Sequence, residues 1–214
     1  MTDIAGLAAS IGAAPPTETD GRRLRRAVNR EAVVDALLDL YAEGNLRPGT
    51  DAIAERAGIS PRSLFRYFDD TDDLADEAVT RQLARAIPLV ALDVDASASF
   101  EDRVQALIDQ RFRLFDAVGQ AAQVTRLRAP FQPRLARTLA DTRRFLRSQL
   151  RSLFAGELAA MDDDGARAAL AAADVLATFE AYQLLTSDQG CSVAEAKAIL
   201  GRSLSVLLSP GGTR

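Results

Sequence analysis

Residues 50–68 hold two short helical periods separated by Gly58-Ile-Ser-Pro61, and this turn constrains the fold more than any other feature of the chain. Gly58 supplies the left-handed residue that ends a helix at low steric cost. Ser60 is a good N-cap, and Pro61 sits at N1, where its missing N–H costs nothing. Ile59 and Leu64 take the N′ and N4 places of a hydrophobic staple. The spacing predicts a helix over 50–57 and another over 61–68, joined by a tight turn.

The neighbouring segments are helical as well. From Asn29 onward Val33, Leu37, Leu40 and Tyr41 fall on one stripe, with Asp35, Asp39 and Glu43 off it, until Gly44 and Asn45 stop the helix. Asp70 and Asp73 have the spacing of a carboxylate capping box for a helix over 71–86, ended by Pro88. Ser99 caps a segment to about Val118, and a short one follows near 121–128. Beyond Pro130 and Pro133, Leu135, Leu139, Leu146, Leu150 and Leu153 line a long helix. Two Ala- and Leu-rich helices, about 165–186 and 192–208, complete the chain; their small residues suit close packing within the chain or against a copy of it. No strand alternation, nucleotide-binding glycine pattern or internal repeat is present. The fold class expected is all-α, with about nine helices: a flexible leader over 1–21, a helix-turn-helix domain over 22–88 with a basic arm, and a larger helical domain over 89–214.

Composition excludes several functions. The chain has no His, which removes Ser-His-Asp and Cys-His nucleophile systems, histidine zinc sites and HExxH chemistry. Its one cysteine, Cys191, forms neither an internal disulfide nor a thiolate cage and suits a reducing cytoplasm. No apolar run reaches the roughly 18 residues of a membrane span. Net charge is -4, yet residues 20–70 hold nine Arg and nine acids, and the arginines are clustered. Arg22, Arg23, Arg25, Arg26 and Arg30 fall within nine residues that contain no acid, either as a phosphate-gripping arm or as a solvated tail.

A helix-turn-helix presents its second helix to the major groove. With Leu64 and Phe68 turned inward, Pro61, Arg62, Ser63, Phe65, Arg66 and Tyr67 face out. They supply a fork donor for guanine, hydroxyls for phosphates and apolar surface for thymine methyls. An ordinary helical hairpin with solvated arginines satisfies the same pattern.

Residues 29–77, above all Ile53-Ala-Glu-Arg-Ala-Gly-Ile-Ser60 and Leu64-Phe-Arg-Tyr-Phe68, resemble the DNA-binding domain of TetR/AcrR-family transcriptional regulators. The resemblance implies a homodimer built through the last two helices, usually a repressor, that a small-molecule effector releases from a palindromic operator. It implies base contacts from Pro61, Arg62, Ser63 and Phe65, phosphate contacts from Ser60, Arg66 and Tyr67, and a backbone approach at Gly49 and Thr50. Two positions depart from the family pattern. Thr50 stands where an apolar residue is common, and Thr71 where a phosphate-binding Lys is common, beside Asp70, Asp72 and Asp73. The alternative from another class is an all-α ligand-binding or interaction module with a vestigial helix-turn-helix.

The effector site is weakly marked. Candidates for its lining are Arg111, Phe112, Phe115, Arg126, Phe131, Phe145, Gln149, Phe179 and Tyr182, the alternative being plain core and solvated cations. Asp174 and Glu180 are candidate polar contacts for a ligand or a partner subunit. Asp69-Asp-Thr-Asp-Asp73 fits a magnesium–diphosphate pattern without its second motif, and residues 162–165 read as a helix cap. No metal, cofactor or membrane partner is expected, and no catalysis.

Overall fold

A computed structural model describes residues 4–11, 21–95 and 97–209, with side chains for all of these except 8–11 and 21–25. Eleven α-helices, one 3-10 turn and one π turn make up its regular structure, and no strand occurs among the described residues. The helices are α1 Ile4–Ile11, α2 Gly21–Ala42, α3 Thr50–Arg56, α4 Pro61–Leu64, α5 Thr71–Ala86, α6 Phe100–Arg128, α7 Pro133–Leu153, α8 Ala155–Ala159, α9 Asp163–Leu176, α10 Phe179–Gln183 and α11 Val193–Leu208. The 3-10 turn is Ile87–Val90, and the π turn is Leu184–Asp188.

The count exceeds nine for identifiable reasons. α1 forms in the stretch expected to be a leader, with Leu7 buried; Ile4, Leu7 and Ile11 recur at helical spacing. The rest of that leader, residues 12–20, lies outside the described residues. The helix expected over 165–186 breaks at Thr178, whose hydroxyl accepts from the Ala181 amide at 3.2 Å and so starts α10 afresh.

The chain divides into two compact units. The N-terminal unit comprises Ala5–Ala86 and Val118–Asp141, so residues expected beyond the boundary at 88 pack with the helix-turn-helix. Its core joins Val33, Leu37 and Tyr41 of α2, Ile53 of α3, Leu64 of α4, Phe68 between α4 and α5, Leu74 and Val79 of α5, and Val124 and Leu135. The stripe expected on α2 is the buried one: Val33, Leu37, Leu40 and Tyr41 are each no more than 6% exposed. Burying a side chain such as Leu64 stabilises the unit by about 1.5–3 kcal/mol. Asp35 of α2 takes Arg85 of α5 at 2.7 Å and Arg81 at 3.4 Å, clamping the two helices on the solvent side.

The C-terminal unit contains Ile87–Ala117 and the described part of Thr142–Arg214. α6 is interrupted at Gly119, whose φ of 41° and ψ of -129° no other residue type adopts easily, close to the break expected after Val118. Its core gathers Leu107, Ile108 and Phe112 of α6, Leu150, Phe154, Ala173 and Ala177, and Leu200 and Leu204 of α11. Small residues do bring helices close here: a Cβ on Gly201 would meet Ile108 Cδ1 at 3.4 Å. Lys197 of α11 donates to Asp109 of α6 at 2.7 Å and lies 5.5 Å from the Phe112 ring centroid. α9 and α11 begin on side-chain caps. Asp162 accepts from the Gly165 amide at 2.7 Å, and Ser192 and Glu195 form a full capping box.

Candidate functional site

The turn between α3 and α4 is built as its residues dictate. Gly58 has a φ of 68°, and the Ile59 amide donates to the Ala54 carbonyl at 2.9 Å, closing α3. The Ser60 side chain accepts from the Ser63 amide at 3.3 Å, and Pro61 occupies N1. The second helix is shorter than the eight residues expected. After Leu64 it tightens into i→i+3 turns, Arg66 to Ser63 at 3.1 Å and Tyr67 to Leu64 at 2.9 Å. Leu64 and Phe68 still bury completely, and this sets the outward face. Pro61, Arg62, Phe65 and Arg66 are exposed, Ser63 and Tyr67 half-buried, and Phe65 keeps 54% of its surface in the open.

This face is anchored by α2. Arg26 donates to the Arg66 carbonyl at 3.2 Å, Asn29 Nδ2 to the Tyr67 hydroxyl at 3.1 Å, and Arg30 Nε to the Tyr67 carbonyl at 3.3 Å. Arg30 also lies 4.6 Å from the Phe68 ring centroid and pairs with Glu77. Arg26, Asn29 and Arg30 share one helical face, and that spacing was the signal for a bracing role which charge counting alone does not reveal. Arg22, Arg23 and Arg25 lie in the first turns of α2, and their side chains fall outside the described residues. Gly49 is the N-cap of α3 without a side-chain hydrogen bond, and Thr50 is its first residue.

The acids after the motif are largely engaged. Asp70 accepts from the Asp72 and Asp73 amides at 2.8 Å each, and Asp72 pairs with Arg128. The reciprocal arm of the expected capping box goes elsewhere, since Asp73 accepts from the Asp69 amide at 3.4 Å. No group of three or more potential metal ligands occurs among the described residues. No single described helix is long and apolar enough to cross a membrane.

In the C-terminal unit the candidate lining residues separate into two sets. Arg111, Phe112, Phe115 and Tyr182 line one small crevice with a cavity volume of about 10 Å³, walled otherwise by residues such as Leu107, Ile108, Thr178 and Leu204. Phe179 belongs to the same aromatic cluster: it meets Phe115 edge-on at 5.7 Å, while Tyr182 meets Phe112 at 5.2 Å. Gln149 is 3% exposed and accepts from Arg111 at 3.1 Å. The others lie elsewhere. Arg126 is in the N-terminal unit and donates to the Ala122 carbonyl at 3.0 Å, Phe131 is 84% exposed there, and Phe145 is buried on α7 away from the pocket wall. Asp174 holds Arg147 at 3.0 Å and Glu180 pairs with Arg143, so neither faces the pocket. Gln110 was missed. It is fully buried and donates to the Leu89 carbonyl at 3.0 Å, a polar residue in an apolar stretch of α6.

A helix-turn-helix with an exposed polar and aromatic reading face, carried on a helical chain with its own second unit, defines a DNA-binding transcriptional regulator. The chain matches, over residues 33–78, the model of bacterial regulatory proteins of the tetR family. It is 28% identical over 160 residues to the HTH-type transcriptional repressor KstR2 of Rhodococcus jostii strain RHA1, covering 71% of this chain and 72% of that protein. A solved transcriptional regulator from Rhodococcus sp. Rha1 shares the fold with a TM-score of 0.66 at 16% identity, over 86% of this chain and 98% of that one.

Proposed function

We propose that this protein is a cytoplasmic, homodimeric, ligand-responsive repressor that catalyses no reaction. The observation that carries the reading is the outward face of Pro61, Arg62, Phe65 and Arg66, braced from behind by Arg26, Asn29 and Arg30. Arg62 reads a base edge and Phe65 meets thymine methyls. Ser60, Ser63, Arg66 and Tyr67, with the backbone at Gly49 and Thr50, position the helix on phosphates. Arg22, Arg23 and Arg25 add phosphate or minor-groove contacts. Two such helices in a dimer read successive major grooves of a palindromic operator.

Pairing through the last two long helices is supported by their outward residues. Val175 of α9 and Val206 of α11 are 65% and 66% exposed, beside exposed Ala168 and Ala198. Effector binding in the C-terminal unit shifts the population toward a dimer that no longer fits DNA. The test is a gel shift on the promoter beside the protein's own gene. Binding falls steeply with salt, and Arg62→Ala costs about 1–3 kcal/mol while relaxing sequence preference. Absence of a salt-dependent shift overturns the reading. Equilibrium sedimentation at twice the 23.0 kDa chain mass is the expected result for the dimer, and Val206→Glu returns it to one chain.

A further inference from the structure

Ser60, Ser63 and Tyr67 give the outward face of the helix-turn-helix three hydroxyls, and these are committed differently. Ser60 and Ser63 share a hydrogen bond, Oγ to Oγ at 2.9 Å, so one of their two protons is spent between them. The Tyr67 hydroxyl instead receives one: Asn29 Nδ2 donates to it at 3.1 Å. Among the described residues nothing takes the Tyr67 proton in return.

A phenolic oxygen has one proton to give and lone pairs with which to receive, whereas an amide nitrogen only gives. Asn29 therefore fills a lone pair of Tyr67 and leaves the proton unspent. A carboxylate at the same place would take that proton inward. The direction matters on a surface that meets DNA, because phosphate oxygens act as acceptors and bind a hydroxyl through its proton.

Tyr67 is otherwise fixed. Its ring packs against the core of the N-terminal unit, and its carbonyl accepts from Arg30 Nε at 3.3 Å. Arg26 likewise holds the Arg66 carbonyl at 3.2 Å. These two arginines tie down the main chain after α4. Asn29, exposed on α2 between them, addresses a side chain instead.

We infer that Asn29 is a positioning residue for DNA binding: by donating to the Tyr67 hydroxyl it turns that hydroxyl's proton outward, as a donor to a phosphate oxygen. The inference rests on the DNA-binding reading above and gives its Tyr67 contact a hydrogen-bond direction. Position 29 then requires a donor. Asn29→Asp keeps a hydrogen bond to Tyr67 and reverses it.

The test is a double-substitution cycle on the full-length protein, read by fluorescence anisotropy. Its two probes are the promoter fragment beside the protein's own gene and a duplex of scrambled sequence. Tyr67→Phe is expected to weaken binding to both by about tenfold, since a phosphate contact carries no sequence information. The charge of Asn29→Asp repels DNA by itself, and the Tyr67→Phe background measures that repulsion alone. Asn29→Asp is expected to cost about tenfold more beside the Tyr67 hydroxyl than in that background, with an undiminished Tm because the hydrogen bond persists in reverse. A mere brace for the tyrosine ring predicts the same cost in both. Equal costs in the two backgrounds overturn the inference, as does a Tyr67→Phe variant that binds both probes undiminished. Equal costs with DNA binding intact remove the role of Asn29 and leave the DNA-binding reading standing; an unaltered protein that binds neither probe removes both.

Discussion

Each unit buries a donor that lacks an acceptor, and the two orphans differ in kind. In the N-terminal unit it is the Tyr41 hydroxyl, neutral, 1% exposed and packed in a filled apolar core, its ionisation pushed up to about 12 chiefly by burial. In the C-terminal unit it is Arg111 Nε, part of a charged group beside a pocket. A neutral orphan in a full core is a packing compromise, because the ring's apolar contacts outweigh one unmade bond. A charged orphan is the costlier of the two, because a desolvated cation loses more than a neutral hydroxyl when one donor goes unused. The first unit presents arginines at its surface; the second encloses Arg103, Gln110, Arg111 and Gln149 in its interior.

The largest expected effect tests the presenting unit. Phe68→Ala removes a ring that is 2% exposed and should destabilise by about 3–5 kcal/mol in chemical denaturation. Phe65→Ala, three residues earlier and on the exposed side, should leave stability within about 0.5 kcal/mol while weakening operator binding. Equal stability losses for the two would break the division between core and reading face.

The enclosing unit is probed next through its compensated arginine. Arg103 holds the Glu157 carboxyl below the ordinary carboxylate range, so this pair's stabilisation is present above the unfolded value of about 4.3 and is lost as pH falls through the lower folded value. Glu157→Gln should therefore be about 1.5–3 kcal/mol less stable at pH 7, with the gap closing in acid; denaturation midpoints at pH 7 and below pH 4 measure it. A gap independent of pH would refute the ion pair. Gln149→Leu deprives the Val90 carbonyl and Arg111 of one partner each and should cost about 1–3 kcal/mol by the same method. The smallest effect is the sharpest for the comparison. Tyr41→Phe deletes an unpaired hydroxyl and should be neutral or stabilising by up to about 1 kcal/mol, and a clear loss would mean that this orphan has a partner after all.

Where one residue type at one position decides the backbone, the sequence was readable. Gly58, Ser60, Asp70, Asp162 and Ser192 each act at the element end where their chemistry placed them, and α5 has the bounds expected of it. The short α4 was not readable to its end, because Leu64 and Phe68 keep the same burial in a helix or in tightened turns. The break at Thr178 was hidden by an apolar period that runs through it. The association of Val118–Asp141 with the N-terminal unit depends on contacts distant in sequence, which periodicity does not encode. Of the effector candidates, the ones that converge are those near Arg111 on α6 and its aromatic neighbours across α10. Nothing local distinguishes Phe145 or Phe131 from them.

Arginine supplies 25 of the 26 cations, and this gives the one lysine an analytical use. Lys197 is ion-paired with Asp109 and rests against Phe112, a wall of the enclosed pocket. An amine-reactive label therefore has a single side-chain target in the whole chain. Its rate of acylation, followed by mass spectrometry without any engineered tag, reports how freely the half-exposed Lys197 leaves its pairing with Asp109.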